Sequence, residues 1–192
     1  MLVGPSGAGK TTLLSIMAGI LSQTGGECEI LSQPINQLKE KERTIFRGQH
    51  IGFVFQSFNL IPSLTALENV SVPLLIHGMN KKEALDRSME ILEILGLGDR
   101  ASDFPPHFSG GQLQRISIAR GCVHRPKIIL CDEPTSFLDH ENGSRVMELM
   151  KKIQKRDLST FVIVTHDPRI FDFADRIVEI NDGVIKTETR KE

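Results

Sequence analysis

Tyrosine and tryptophan are absent from this chain of 192 residues, so its 10 phenylalanines supply all of the aromatic side chains. A planar ligand therefore cannot stack on a tyrosine or tryptophan ring of this chain. Long apolar runs are lacking too, and none approaches the roughly 18 residues that a membrane-spanning helix requires. We therefore predict that the chain does not itself cross a membrane.

Charge of one sign is also lacking, because Lys and Arg total 23, Asp and Glu total 24, and the formal net charge is -1. Proteins that bind the nucleic-acid backbone usually carry an excess of basic residues, so we predict that nucleic acid is not a partner. The three cysteines, Cys28, Cys122 and Cys131, are odd in number and lack C-x-x-C spacing. This pattern is typical of reduced, packed thiols in a cytosolic protein.

The order of apolar segments predicts an α/β fold, with a mostly parallel sheet flanked by helices. The predicted strands cover residues 27–31, 50–55, 128–131, 160–165, 177–180 and 184–187. Residues 62–125 have a helical pattern instead, so we interpret them as a helical subdomain inserted into a single domain, residues 1–192. The α/β core would consist of residues 1–61 and 126–192.

Three details of the helices are predicted as well. Apolar residues from Leu13 to Leu21 would form the buried side of the first helix, and a second stripe would run from Val146 to Ile153. The pair Gly121-Cys122 would interrupt a helix, because glycine costs about 1 kcal/mol relative to alanine in a helix interior.

A phosphate-binding loop is predicted near the start of the chain. The pattern G-x-x-x-x-G-K-[ST] is matched by Gly4, Pro5, Ser6, Gly7, Ala8, Gly9, Lys10 and Thr11, and Thr12 follows as a further phosphate contact. Glycines let backbone N–H groups turn toward one phosphate, and the following helix adds its positive N-terminal end. Lys10 would reach the β- and γ-phosphates of a nucleotide, and the Thr11 hydroxyl would bind Mg²⁺. The alternative is a glycine-rich turn that only caps a helix.

Polar residues follow three further predicted strands, namely Gln56, the pair Asp132 and Glu133, and His166. Ligands of open parallel sheets bind at the carboxyl ends of strands. Asp132 and Gln56 would join Thr11 in holding Mg²⁺, and the Gln56 amide would also contact the attacking water. Glu133 would accept a proton from the attacking water, and His166 would donate to the γ-phosphate. Taken alone, each residue has a structural alternative, such as an acidic turn that ends a strand.

Only Met1 to Val3 precede the predicted phosphate loop, whereas a strand of about five or six residues is usual there. We therefore expect this strand to lie in the middle of the sheet and to begin in a β segment upstream of Met1. A mis-assigned start, a decayed copy and a deliberate truncation are all open at this point.

A second glycine-rich loop consists of Ser109, Gly110, Gly111 and Gln112. One nucleotide rarely needs two such loops on one subunit, so the pair predicts an active site shared between two chains. With this loop, the motifs resemble those of the ATP-binding subunit of ABC transporters over nearly the whole chain. Residues 108–115 resemble the family's signature motif, 55–56 its Q-loop, 136–139 its D-loop and His166 its switch histidine. The chain departs from the family pattern in having Phe108 and Phe137 where leucine and alanine are usual.

The resemblance implies a P-loop NTPase that binds ATP with Mg²⁺ and hydrolyses it. Two subunits would pair head to tail, so that Ser109, Gly110, Gly111, Gln112 and the D-loop Asp139 of one chain contact the nucleotide held by the other. Membrane permease subunits would be the further partners, at the cytoplasmic face of the inner (plasma) membrane.

Residues 46–47, 51–56 and 58–62 resemble an export branch of the family that acts in lipoprotein release, macrolide efflux and heterocyst glycolipid export. Two alternatives from other classes are open. One is a soluble ABC-type ATPase, and the other is a truncated regulator that hydrolyses ATP poorly.

Overall fold

Residues 1–191, which the computed structural model describes, form eight strands and six α-helices. The strands are β1 Leu2–Val3, β2 Glu29–Ile30, β3 Gln33–Pro34, β4 Ile51–Val54, β5 Ile128–Asp132, β6 Thr160–Val164, β7 Arg176–Asn181 and β8 Val184–Arg190. The helices are α1 Lys10–Met17, α2 Glu40–His50, α3 Ala66–Ile76, α4 Lys81–Ile94, α5 Gly110–Cys122 and α6 His140–Asp157. Within residues 1–191, no helix has the combined length and hydrophobicity of a membrane span.

The main sheet has the strand order β4-β5-β6-β1-β7-β8. All neighbouring strands from β4 to β7 are parallel, and β8 pairs antiparallel with β7 as the C-terminal hairpin. Strands β2 and β3 form a separate antiparallel pair. The short strand β1 lies between β6 and β7, so the prediction that it occupies the interior of the sheet is confirmed.

Strand β5 is covered on both faces, as its continuous apolar sequence predicts. Ile129 and Cys131 pack into the larger core cluster, whereas Leu130 packs with Leu14 of α1 in the second cluster. This alternation follows from the geometry of a strand, in which successive side chains point to opposite faces. Burial on both faces fixes β5 and thereby the position of Asp132 at its carboxyl end.

The segment between β4 and α3 is fixed by polar contacts. Thr65 begins α3 as a capping residue, because its Oγ1 accepts from Glu68 N at 3.2 Å and Thr65 N donates to Glu68 Oε2 at 2.9 Å. The buried amide of Asn69 accepts from Ile61 N at 2.7 Å and donates to Ile61 O at 3.0 Å. A buried side chain with its hydrogen bonds satisfied in this way holds the loop against the helix.

Two helices differ from the sequence-based expectation. Helix α1 ends at Met17, and Leu14 is buried, but Ile20 and Leu21 lie beyond the helix and are 51% and 47% exposed. Helix α2 was not predicted, because it buries none of its residues and therefore shows no apolar stripe. In α6, by contrast, the predicted apolar stripe is confirmed, because Val146, Leu149, Met150 and Ile153 are all buried.

Helix α5 approaches β4 so closely that both sides require glycine. A Cβ on Gly52 would lie 2.0 Å from Gly121 O, and a Cβ on Gly121 would lie 3.0 Å from Phe53 O. The expectation that Gly121-Cys122 interrupts the helix is wrong, since α5 continues through Gly121 and ends at Cys122. The close approach to β4 explains why glycine stands at a position where the helix alone would favour alanine.

We predict that Gly52→Ala lowers the free energy of unfolding by about 3 kcal/mol, the upper part of the usual range for overpacking, because the new methyl group meets a backbone oxygen. Gly25→Ala is the matched control, since no atom lies within 4 Å of a Cβ at that position, and it should change the stability by less than about 0.5 kcal/mol. Urea unfolding measures both. Equal stability of the two variants would contradict the close approach.

Candidate active site

The loop between β1 and α1 has the backbone geometry of a phosphate cradle. Gly7 and Gly9 have φ values of 82° and 86°, in the left-handed region that favours glycine. Within residues 1–191, no heavy atom outside the adjacent residues lies within 4 Å of a Cβ at either position. Gly9 is the N-cap of α1, so the first N–H groups of the helix, which have no intrahelical acceptor, adjoin the loop.

Lys10 lies inside this loop and is only 7% exposed. Its Nζ donates to Gly4 O at 2.8 Å and to Pro5 O at 2.7 Å. Both acceptors are neutral carbonyl oxygens. The ammonium group is therefore held in the loop without its charge being balanced by these contacts.

Asp132 and Thr11 bring a carboxylate and a hydroxyl together. Thr11 Oγ1 donates to Asp132 Oδ1 at 3.3 Å. Burial raises the pKa of Asp132, and the negative charge of Glu133 adds to this, whereas the Thr11 hydrogen bond and the Lys10 charge oppose it. Hydroxyl and carboxylate oxygens are ligands that Mg²⁺ prefers, and a bound cation would favour the charged carboxylate. This donor set therefore fits the predicted ion.

Glu133 and His166 form a close pair. His166 Nδ1 lies 2.7 Å from Glu133 Oε1, while Glu133 Oε2 is buried and has no hydrogen-bond partner among residues 1–191. Glu133 itself has φ 48°, an uncommon conformation for a residue other than glycine. One oxygen of the Glu133 carboxylate therefore contacts His166, and the other has no donor from the described part of the chain. A water molecule could supply a hydrogen bond to that second oxygen.

These side chains share a cavity of about 600 Å³. Its lining consists of Pro5, Ser6, Gly7, Gly9, Lys10, Thr11, Thr12, Gln56, Asp132, Glu133, Val164 and His166. Two residues of the predicted loop do not line it, since Ala8 is buried and a Cβ on Gly4 would lie 2.0 Å from Ile180 O. Val164 was not predicted, because an apolar residue inside a buried strand gives no signal of a ligand contact.

The second glycine-rich loop does not line this cavity. Ser109 is exposed at the start of α5, and its N–H donates to Gln112 Oε1 at 2.9 Å. Asp139 begins α6, where its Oδ1 accepts from Asn142 N at 2.8 Å. A Cβ on Gly111 would lie 3.3 Å from Asn142 Oδ1, so the starts of α5 and α6 are adjacent. Within one chain, the phosphate loop and the second glycine-rich loop therefore do not share a cavity.

Known proteins resemble this chain over nearly its whole length. The lipoprotein-releasing system ATP-binding protein LolD of Bacteroides thetaiotaomicron is 46% identical over 187 residues, which cover 97% of this chain and 86% of that protein. An uncharacterized ABC transporter ATP-binding protein of Escherichia coli, YbbA, is 40% identical over 187 residues, covering 97% of this chain and 82% of YbbA.

Solved structures with the same fold include the ATP-binding cassette MJ0796 in a dimeric post-hydrolysis state bound to ADP and Pi. It matches with a TM-score of 0.90 and 42% identity, over 98% of this chain and 83% of that one. The sequence profile of the ABC transporter family matches residues 1–136. The chain therefore belongs to the ABC transporter family, and it is an ATPase of the kind that forms this family's ATP-binding subunits.

Proposed function

We propose that this chain hydrolyses ATP as one half of a head-to-tail dimer and thereby drives a membrane exporter. The observation that carries the proposal is the position of Glu133 beside the phosphate loop, with Oε1 engaged by His166 and Oε2 buried and unpartnered. A carboxylate in this setting suits a general base for water.

The roles of the site residues follow from their chemistry. Lys10 and the backbone of the phosphate loop bind the β- and γ-phosphates of ATP. Mg²⁺ held by Thr11, Gln56 and Asp132 would neutralise charge on these phosphates. Glu133 accepts a proton from water, whose oxygen bonds to the γ-phosphorus as the bond to the ADP oxygen breaks.

His166 holds Glu133 in place through Nδ1. If Nδ1 carries the proton of that hydrogen bond, the ring can donate to the γ-phosphate through Nε2 only when it is doubly protonated. The His166 side chain is 68% exposed, which leaves it accessible to such a contact. His166 would thus link the general base to the phosphate that is released.

The second loop supports a site shared between two chains. Ser109 is exposed and lies outside the cavity that contains Lys10. Its hydroxyl, with the N–H groups at the start of α5, suits a phosphate. We infer that Ser109, Gly110, Gly111 and Gln112 of one chain, with Asp139 beside them, contact the ATP held by its partner. Hydrolysis would remove the bridging phosphate and let the pair open.

The partners of this dimer would be permease subunits, with the ATPase bound at the cytoplasmic face of the inner membrane. The name of LolD describes it as the ATP-binding protein of a lipoprotein-releasing system. The 46% sequence identity between this chain and LolD supports an assignment to the same export branch. We therefore propose export of a lipid-linked or similarly amphipathic substrate.

The first of three predictions about function tests the general base. Glu133→Gln should leave ATP binding intact but lower kcat by about 100-fold or more, because an amide cannot accept the proton from water. The variant should accumulate as an ATP-bound dimer in size-exclusion chromatography. Glu148→Gln, at an exposed position of α6, is the control and should keep its activity. Near-normal turnover in Glu133→Gln would remove this residue from the role.

The second prediction separates the two phosphate-binding loops. Lys10→Ala should weaken ATP binding by the monomer, because Lys10 serves the site of its own chain. Ser109→Arg should bind ATP almost normally but fail to dimerise, because the larger cation would occupy the position of the facing γ-phosphate. Equilibrium binding of a fluorescent ATP analogue and light scattering measure the two steps. Equal loss of monomer binding in both variants would contradict a shared site.

The third prediction distinguishes an exporter subunit from a soluble ATPase and from a poorly hydrolysing regulator. ATP turnover by the chain should rise several-fold when it is mixed with its permease reconstituted in lipid vesicles, because docking favours the closed dimer. A soluble ATPase would show the same turnover with and without vesicles, and a regulator would show almost none in either case. Vesicles without permease serve as the control.

A further inference from the structure

The segment that carries Gln56 is a tight turn at the end of β4. Phe58 N donates to Phe55 O at 3.3 Å, so Gln56 is the second residue of a four-residue turn. Asn59 N donates to Ser57 O at 2.6 Å. Phe58 and Asn59 have φ values of 58° and 50°. Two successive non-glycine residues in the left-handed region are unfavourable unless surrounding contacts hold them.

Arg120 provides such a contact from helix α5. Its Nη2 donates to Phe58 O at 2.7 Å, and its Nη1 donates to Asn59 O. Burial lowers the pKa of the Arg120 guanidinium, so a charged group is partly removed from water at this point. The planar guanidinium reaches the two neighbouring carbonyl oxygens from two separate nitrogen atoms, whereas a lysine would have to reach both from a single nitrogen.

The neighbouring residue holds Arg120 in place. Gly121 makes the close contact with β4, where a Cβ would lie 3.0 Å from Phe53 O. Helix α5 therefore has little freedom to shift along β4 at this end. Gln56 follows strand β4, and helix α5 packs closely against that strand. Arg120 and the turn that it holds are therefore both anchored to the packed pair of β4 and α5.

A second contact reaches the turn from the segment between β5 and α6. The rings of Phe58 and Phe137 lie 6.2 Å apart between centroids, at an interplanar angle of 64°. This edge-to-face arrangement is favourable for aromatic pairs. Phe137 is nevertheless 62% exposed, so the main fixed contacts of the turn are those from Arg120.

We propose that Arg120 is a positioning residue for Gln56, because it fixes the turn that sets the direction of the Gln56 side chain toward the nucleotide cavity. This inference rests on the proposed role of Gln56 in holding Mg²⁺ and the attacking water. Arg120 does not line the cavity, and it acts through the backbone of Phe58 and Asn59.

The test is a double-mutant cycle on kcat in the full chain. Arg120→Lys should lower kcat by about 10-fold to 100-fold, since small displacements of a positioning group cost this much, and should raise the half-saturating Mg²⁺ concentration. Affinity for ATP should change by less than about twofold, because the phosphate loop is untouched. In a Gln56→Ala background, Arg120→Lys should lower kcat by no more than about twofold.

A matched control and a second variant distinguish a loss of positioning from a general loss of folding. Arg47 of α2 is also partly buried and donates from Nη1 to Gly19 O at 3.1 Å, so Arg47→Lys should keep the normal kcat and Mg²⁺ dependence. Asn59→Val disturbs the same turn at an exposed position, because a β-branched residue disfavours positive φ. It should reproduce the Arg120→Lys kinetics, whereas Asn59→Gly should not.

The outcomes are separable. Multiplicative losses in the double variants would mean that Arg120 acts independently of Gln56, and this would overturn the inference while leaving the proposed function intact. Near-normal turnover in Gln56→Ala would contradict the proposed role of Gln56 and overturn the inference with it. Normal kinetics in Asn59→Val would also overturn the inference, even if Arg120→Lys did not fold.

Discussion

The parallel register of strands β4, β5, β6 and β1 is the constraint on which the candidate site depends. Leu2 and Asp132 both lie opposite Val164, so the ends of β1, β5 and β6 are level. The strands continue to pair past these residues, since Glu133 N donates to Val164 O at 2.9 Å and Thr165 N donates to Leu2 O at 3.1 Å. A shift of one residue would turn every buried side chain to the wrong face. Burial of β5 on both faces therefore determines where the polar residues meet.

The residues on either side of His166, Thr165 and Asp167, are buried and form polar contacts. Thr165 Oγ1 accepts from Asp167 N at 3.0 Å, and Arg169 Nε donates to Asp167 Oδ1 at 2.8 Å. This Arg169 contact holds the pKa of Asp167 below its ordinary value. On the other side, Ser136 Oγ donates to Glu133 O at 3.0 Å. Strained or buried polar residues of this kind are typical of functional sites.

The sequence predicted the parts of the fold that have a periodic or continuous apolar pattern. Strand β5 and helix α6 are examples, and the meeting of Asp132, Gln56 and His166 in one cavity follows from the rule for parallel strand ends. Helix α2 gave no such pattern, because it buries none of its residues.

Contacts between distant segments could not be predicted in this way. Gly121 looked like a helix breaker because its partner, β4, is not visible in the local sequence. Arg120 contacts carbonyls 61 and 62 residues away along the chain, and neither periodicity nor spacing indicates such a contact. The assigned roles of the site residues likewise rest on chemistry and remain predictions.

The burial of Lys10 has a consequence for what the phosphate loop can distinguish. Its side chain is largely buried, and its ammonium group donates to two neutral carbonyl oxygens. A polyphosphate would bring negative charge to this ammonium group, whereas an uncharged nucleoside would not. The loop thus holds a cation in a fixed position before any ligand binds, which favours phosphates over uncharged groups.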